Sequence, residues 1–236
     1  MNDDDVLLKA CAILRDNAIK YWICNGTLLG IIRENRILPW DHDIDIAVWD
    51  SEISKSKIKR LFAAAGFCAE PLFGEMDCIH FTGKKRKLDI SFFKVEDGVA
   101  SVKWIVPQES ISKRVLTTFT SAMWSNVSPL DGLEIRSTKS VVRFFISSSA
   151  YILRFLLPRS WKDRIITYGL RRMEYLGYSY HVSMLEPTEY SYNGNIIYVP
   201  FRYEEVLEAT YGKEWRVPKK DFVWHKEAEN LLQLGI

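Results

Sequence analysis

The run PWDHDIDIAVW, residues 39–49, places Asp41, Asp43 and Asp45 at alternate positions among Ile and Val. A strand sends alternate side chains to one face, so the three carboxylates project together while Ile44, Ile46 and Val48 enter a core. Same-face neighbours on a strand lie about 6.6 Å apart at Cα, twice the ~3.3 Å rise. Flexible carboxylates at that spacing converge on one hard cation. Without a cation, their repulsion raises one or more pKa values and costs stability. The cluster therefore predicts Mg2+, or Mn2+ in its place. The alternative, solvated polar positions on a half-exposed strand, must explain three Asp in an element that Asp avoids.

Two further pieces belong with this strand. Gly26-Thr27 stands at the mouth of a preceding strand and opens a helix, where backbone amides can cradle phosphate and the threonine hydroxyl can donate to an oxygen. Asp89 in KLDISFF is flanked by Leu88, Ile90, Phe92 and Phe93. A buried carboxylate needs a partner, and a metal shared with Asp43 and Asp45 supplies one. A glycine turn, an Asp-x-Asp strand and a third carboxylate on a later strand form the order used by the nucleotidyltransferase fold. There, metals bridge phosphate oxygens and a carboxylate helps deprotonate the attacking hydroxyl.

The elements that must position these groups are legible in outline. Asp3, Asp4 and Asp5 suit a helix start, and Val6, Leu7, Ala10, Cys11, Ile13, Leu14 and Ala18 continue it as an apolar stripe to about Lys20. YWIC (21–24) reads as a buried strand, broken by Asn25-Gly26-Thr27, and LLGIIRENR as a short helix. Ser51 caps a helix that Gly66 stops. CIHFT and LDISFFKV flank GKKRK as an antiparallel hairpin, and Asp97-Gly98, Asp131-Gly132 and Asn193-Gly194 mark turns. Residues 139–180 look helical with a break at Pro158, and residues 200–211 form a helix stopped by Gly212. The expected fold is α+β: a nucleotidyltransferase-like mixed sheet core flanked by helices, with a mostly helical C-terminal part. Residues 1–138 form the catalytic core, and residues 139–236 complete the donor and acceptor site, or continue the same domain.

Composition narrows the function. The chain has 236 residues, 47% hydrophobic and 26% charged, which suits a packed core rather than disorder. A net charge of +2 argues against a generic polyanion binder, so no nucleic-acid partner is expected. Aromatic residues reach 13%, and part of that excess suits a ligand site or an amphipathic surface. Cys11, Cys24, Cys68 and Cys78 show neither CxxC pairing nor zinc-finger spacing, and read as buried free thiols in a reducing compartment. The N-terminus lacks a secretory pattern and no stretch is apolar enough to span a membrane, so a cytoplasmic location is expected.

NGTLLGIIRENRILPWDHDIDIAV resembles the signature of the LicD family, which includes the fukutin and fukutin-related proteins. Gly26, Thr27, Leu28, Leu29, Gly30, Arg33, Pro39, Trp40, Asp41, Asp43 and Asp45 carry that resemblance. KLDISFF resembles the family's third-carboxylate strand, and NIIYVPFRYEEVLEATYGKEWRVP its C-terminal block, with His225 just beyond. The matching segments are residues 21–49, 87–93 and 195–225. The resemblance implies a metal-dependent transferase that moves a phospho-alcohol group, such as phosphocholine or ribitol phosphate, from a CDP-linked donor to a glycan hydroxyl and releases CMP. It implies Asp43 and Asp45 as metal ligands and Asp89 as third ligand or general base. Asp41 binds metal or orients its loop. Arg33 is a candidate phosphate clamp or a solvated helix-end charge. Trp40 stacks on a base or packs under the loop, and Gly26, Thr27 and His225 complete the donor site. The rivals are a nucleotidyltransferase that releases pyrophosphate, a DxD glycosyltransferase, and a non-catalytic glycan-binding module.

Other features have a bland and a sharp reading. His42 should face away from its neighbouring aspartates, and His80 reads as structural. Lys84–Lys87 is a basic hairpin tip, either a solvated turn or a contact for an anionic acceptor. Residues 141–180 mix large apolar residues with six arginines. This is the composition of ordinary packing helices, or of an interfacial pair at the inner face of a membrane carrying a glycolipid acceptor.

Overall fold

The computed structural model describes residues 3–70, 76–82, 86–106, 110–124 and 138–233. Asp3, Asp4 and Asp5 fill the first turn of α1 (Asp3–Asp16), where the helix dipole favours acids, and Leu7, Ala10, Cys11 and Leu14 form its buried stripe. Then come β1 (Tyr21–Ile23), α2 (Asn25–Glu34), β2 (Asp43–Trp49), α3 (Lys55–Ala64), β3 (Cys68–Ala69), β4 (Cys78–Thr82), β5 (Lys87–Glu96) and β6 (Val99–Ile105). Three helices follow: α4 (Ile111–Trp124), α5 (Thr138–Leu156) and α6 (Arg159–Leu170). The chain ends with β7 (Tyr175–His181), a hairpin of β8 (Pro187–Tyr192) and β9 (Asn195–Pro200), α7 (Tyr203–Tyr211), the single turn α8 (Trp224–Glu227) and β10 (Leu231–Gln233).

The fold is α+β with a mixed sheet. Its strand order is β1-β2-β5-β6-β7-β10, with β4 paired on β5 and β3 on β4. The β2–β5 pair is parallel, while β1–β2, β4–β5 and β5–β6 are antiparallel. Ile44, Ile46 and Val48 are fully buried, as the alternation requires. Ala47 and Trp49 are buried too, so β2 is covered on both faces along most of its length.

The residues group into two compact units, drawn differently from 1–138 and 139–236. One holds Met1–Glu70, Asp77–Lys103 and Gly177–Gln233; the other holds Pro71–Met76, Trp104–Leu176 and Leu234–Ile236. The first contains most of the sheet, with Trp22, Trp49 and Phe93 packed ring to ring in its core. In the second, α4 packs against α5 and α6. A Cβ on Gly169 of α6 would fall 2.0 Å from Thr120 Oγ1, so that helix crossing needs glycine.

Several boundaries differ from the expectation. α1 ends at Asp16 rather than Lys20. α2 begins at Asn25 rather than Leu28, because Asn25 takes φ +49, a left-handed conformation asparagine tolerates, and turns the chain straight from β1 into the helix. The cap of α3 is Ser54, whose side chain accepts from Lys57 N, not Ser51. Residues 175–181 form a strand, in keeping with the β preference of its three tyrosines, so the C-terminal part carries strands as well as helices. Cys68 is exposed rather than buried. The Asp97-Gly98 and Asn193-Gly194 hairpins form as expected, each with positive φ at both residues. The Asp131-Gly132 turn lies outside the described residues.

Candidate active site

β2 begins at Asp43, so Asp41 sits in the loop before the strand rather than on it. The three carboxylates nevertheless converge: ligand-capable oxygens of Asp41, Asp43 and Asp45 all lie within 4.8 Å of one another. Two devices hold Asp41 there. Arg86 donates from Nη1 to the carbonyls of Leu38 (2.8 Å) and Asp41 (2.7 Å), and from Nε to Asp3 Oδ2 at 2.8 Å. The opening of α2 presses on the same loop. A Cβ on Gly26 would fall 2.2 Å from Asp41 Oδ2, and one on Gly30 would fall 2.6 Å from Arg36 O. Both glycines of the Gly-Thr-Leu-Leu-Gly segment thus serve close approach of helix to loop.

Asp45 is gripped by the same helix end. Its amide donates to Thr27 Oγ1 at 2.9 Å, its carbonyl accepts from Cys24 N at 3.2 Å, and its Oδ1 accepts from Asn25 Nδ2 at 3.3 Å. Thr27 is fully buried, so it aligns β2 on α2 instead of meeting a ligand oxygen. The first free amides of α2 belong to the Gly26 region, because a helix leaves its opening N–H groups without intrahelical partners.

The parallel register sets Asp89 directly beside Asp45, one strand over, at the usual interstrand spacing of about 4.8 Å. On its other side, antiparallel pairing sets His80 opposite Asp89, with His80 Nδ1 2.8 Å from Asp89 Oδ1. Cys78 Sγ lies 4.0 Å beyond, against the same imidazole nitrogen. The row Asp45, Asp89, His80 therefore crosses three adjacent strands.

Burial and like charge make this cluster costly to ionise. Burial, then a hydrogen bond and the charge from Asp43, push Asp41 up to about 7. Burial, followed by Asp43, Asp41 and Asp89, holds Asp45 well above the carboxylate range. Burial also raises Asp89, against the opposing pull of His80. Burial disfavours the His80 cation, but the hydrogen bond and charge of Asp89 outweigh it, so its pKa is raised. Asp41 Oδ2 is buried with no hydrogen-bond partner among the described residues. Clustered carboxylates, one with a buried unpartnered oxygen, match the donor chemistry of a hard divalent cation.

Other expected site residues fare differently. The Arg33 side chain is nearly buried, ion-paired to Glu34 at 2.9 Å and donating to Trp215 O at 3.2 Å. It is not a solvated charge: it ties α2 to the segment after α7, and its Nε is buried without a hydrogen-bond partner among the described residues. Trp40 is half-buried, with Lys220 Nζ 5.3 Å above its ring. His225 lies on α8 against the Trp224 ring, its buried Nδ1 lacking a hydrogen-bond partner among the described residues. Arg86, expected at a basic hairpin tip, is instead the buried clamp described above.

The sequence reading missed Asn25, Arg86, His80, Tyr178 and Tyr211. Tyr178 of β7 and Tyr211 of α7 both have phenol groups raised by burial and then by neighbouring groups that include Asp45. Trp224 packs edge-on to Tyr178 at 6.0 Å. The C-terminal block thus returns to the aspartate cluster through aromatic side chains. The signal for His80 was present: its alternation in CIHFT puts it on the face that a neighbouring strand's carboxylate shares.

Residues 18–127 match the family described as LicD/FKTN/FKRP, nucleotidyltransferase domain. These residues are thus similar to the LicD nucleotidyltransferase domain. The chain is 24% identical over 236 residues to ribitol-5-phosphate transferase FKTN of Macaca fascicularis, covering 98% of this chain and 37% of that protein. It is 34% identical over 41 residues to ribitol 5-phosphate transferase FKRP of Homo sapiens, covering 17% of this chain and 8% of that one. The chain therefore spans well under half the length of these relatives. Among solved structures it is similar to the lincomycin-bound lincosamide adenylyltransferase LnuA, with TM-score 0.42 and 10% identity, covering 88% of this chain and 85% of that one.

Proposed function

We propose that this LicD-like domain is a transferase that moves a phospho-alcohol group from a CDP-linked donor to a hydroxyl of a glycan or glycolipid, releasing CMP. The observation that carries the reading is the convergence of Asp41, Asp43 and Asp45 at the N-terminal end of α2, with Asp89 beside Asp45 in register. The names of the FKTN and FKRP relatives, both ribitol-phosphate transferases, support phospho-alcohol transfer as the chemical class.

Asp43 and Asp45, with Asp41 as third carboxylate, would hold Mg2+ or Mn2+; Asp89 is then set back toward His80. A bound divalent ion supplies charge neutralisation for the phosphate oxygens of donor and leaving group. The chain's own groups do the rest. The opening amides of α2 at Gly26 face anionic oxygens with the favourable end of the helix dipole. Asp89 accepts the proton of the attacking hydroxyl as that oxygen bonds to the distal phosphorus and the bond to CMP breaks. His80 orients the Asp89 carboxylate through its 2.8 Å contact. Trp40, with the Lys220 cation over one face, offers an aromatic surface to the donor base.

Product analysis tests this reading. Incubation with CDP-ribitol, CDP-choline or CDP-glycerol, Mg2+ and a glycan acceptor should yield CMP and a phosphorylated acceptor. Pyrophosphate release from an NTP, with no CMP from any CDP-alcohol, would assign the site to nucleotidyl transfer. Glycan binding without either product would make it a binding module.

A further inference from the structure

We propose that α5 and α6 form a docking surface for an anionic lipid bilayer, α5 lying along the surface rather than crossing it. Val142, Phe145, Ser149, Ile152 and Leu156 recur at helical spacing on the face of α5 turned away from the protein. Phe145 is 63% exposed, Leu156 72% and Phe155 70%. No charged residue stands on that outward row, whereas Ala150, about a third of a turn round the helix, is fully buried. On α6, Trp161 near the helix start is 59% exposed. Solvent-facing apolar side chains in a row broken only by Ser149 are costly to leave in water, and they mark an interaction site.

Charge selects the occupant. Residues 141–176 hold seven basic residues (Arg143, Arg154, Arg159, Lys162, Arg164, Arg171 and Arg172) against two acids, Asp163 and Glu174. Their net +5 exceeds the +2 of the whole chain, so the rest of the protein is net acidic. A second copy of this surface would meet it with the same positive charge and repel. Free phosphate would engage the arginines and leave the apolar row uncovered. Anionic headgroups over acyl chains answer both features, which is the arrangement of an in-plane amphipathic helix. Among the described residues no helix is long and apolar enough to cross a membrane.

The inference rests on this surface alone and is independent of the transfer chemistry. The test is co-sedimentation of the full chain with phosphatidylcholine vesicles and with phosphatidylcholine/phosphatidylglycerol vesicles. The protein should pellet with the anionic vesicles and stay largely in solution with the neutral ones. Arg159→Gln with Arg164→Gln should lower partitioning about fivefold per arginine, and Phe145→Ser with Leu156→Ser should abolish it. Circular dichroism should show native folding in each, since exposed positions tolerate substitution. Should a variant fail to fold, the wild type decides, because raised salt must release it from anionic vesicles. Absence of pelleting with anionic vesicles, or pelleting that neither salt nor substitution reduces, overturns the proposal. So does a dimer that the Phe145 and Leu156 changes dissolve in a protein that ignores vesicles.

Discussion

Arg86→Met removes the clamp on the aspartate loop while keeping much of its volume. Arg86 is 7% exposed and makes three charge-assisted hydrogen bonds, to Asp3 Oδ2 and to the carbonyls of Leu38 and Asp41. One such bond contributes about 1.5–3 kcal/mol, and breaking a buried ion pair costs about 3–5 kcal/mol. The Asp3 side chain is 18% exposed, which lets water take part of the load and favours the lower end, about 3 kcal/mol. For a chain of this size each kcal/mol lowers the melting temperature by roughly 2–4 °C, so the fall should be about 6–12 °C. Urea unfolding of the variant beside wild type measures it, with the exposed Arg143→Met as control, expected within about 0.5 kcal/mol. Arg86→Lys keeps the charge but not the planar fork and should recover only part of the loss. If Arg86→Met unfolds within about 0.5 kcal/mol of wild type, the clamp is not what holds the loop.

Three other perturbations probe the site. Thr27→Val leaves the buried Asp45 amide without its acceptor and should cost about 1–3 kcal/mol in urea unfolding; a neutral result would remove the role given to that hydroxyl. Gly26→Ala should displace the Asp41 carboxylate, whose Oδ2 lies where the new Cβ would go, and weaken Mn2+ binding in calorimetry; unchanged affinity would place Asp41 outside the ion site. In EDTA, stability should fall as pH rises from about 4 towards 7. Asp41 titrates near 7 in the folded state against 3.8 unfolded, so the native protein binds more protons across that window and loses stability as they leave. The raised Asp45 and Asp89 act in the same direction. The raised His80 also favours the folded state below its ordinary pKa and loses that contribution above it. Stability that is flat or climbs over this range would show that the carboxylates do not repel one another in the fold.

The Asp-x-Asp strand, its buried Ile44, Ile46 and Val48, the β4–β5 hairpin and the glycine turns were legible because each rests on local alternation or on turn chemistry. Tertiary packing decided what was misread. Arg86 has the sequence context of a solvated hairpin, and only the fold brings Asp3 and the Leu38–Asp41 loop against it. Arg33 read as a phosphate clamp or a solvated helix-end charge, and only the fold brings the carbonyl of Trp215, 182 residues away, to its guanidinium. Asp41 read as a strand residue because alternation does not report where a strand begins. The Asp89–His80 pair needed the β4–β5 register, and the approach of Tyr178 and Tyr211 to Asp45 needed the C-terminal segment to return to the sheet.

Calorimetric titration of Mn2+ into the metal-free chain, with CMP present, bears most directly on the aspartate cluster. Saturable uptake by the wild type that Asp43→Asn and Asp45→Asn each abolish, both variants remaining folded and no less stable in EDTA, is the expected result. Uptake that survives both substitutions, or none in the wild type, would contradict a divalent-ion site at these carboxylates.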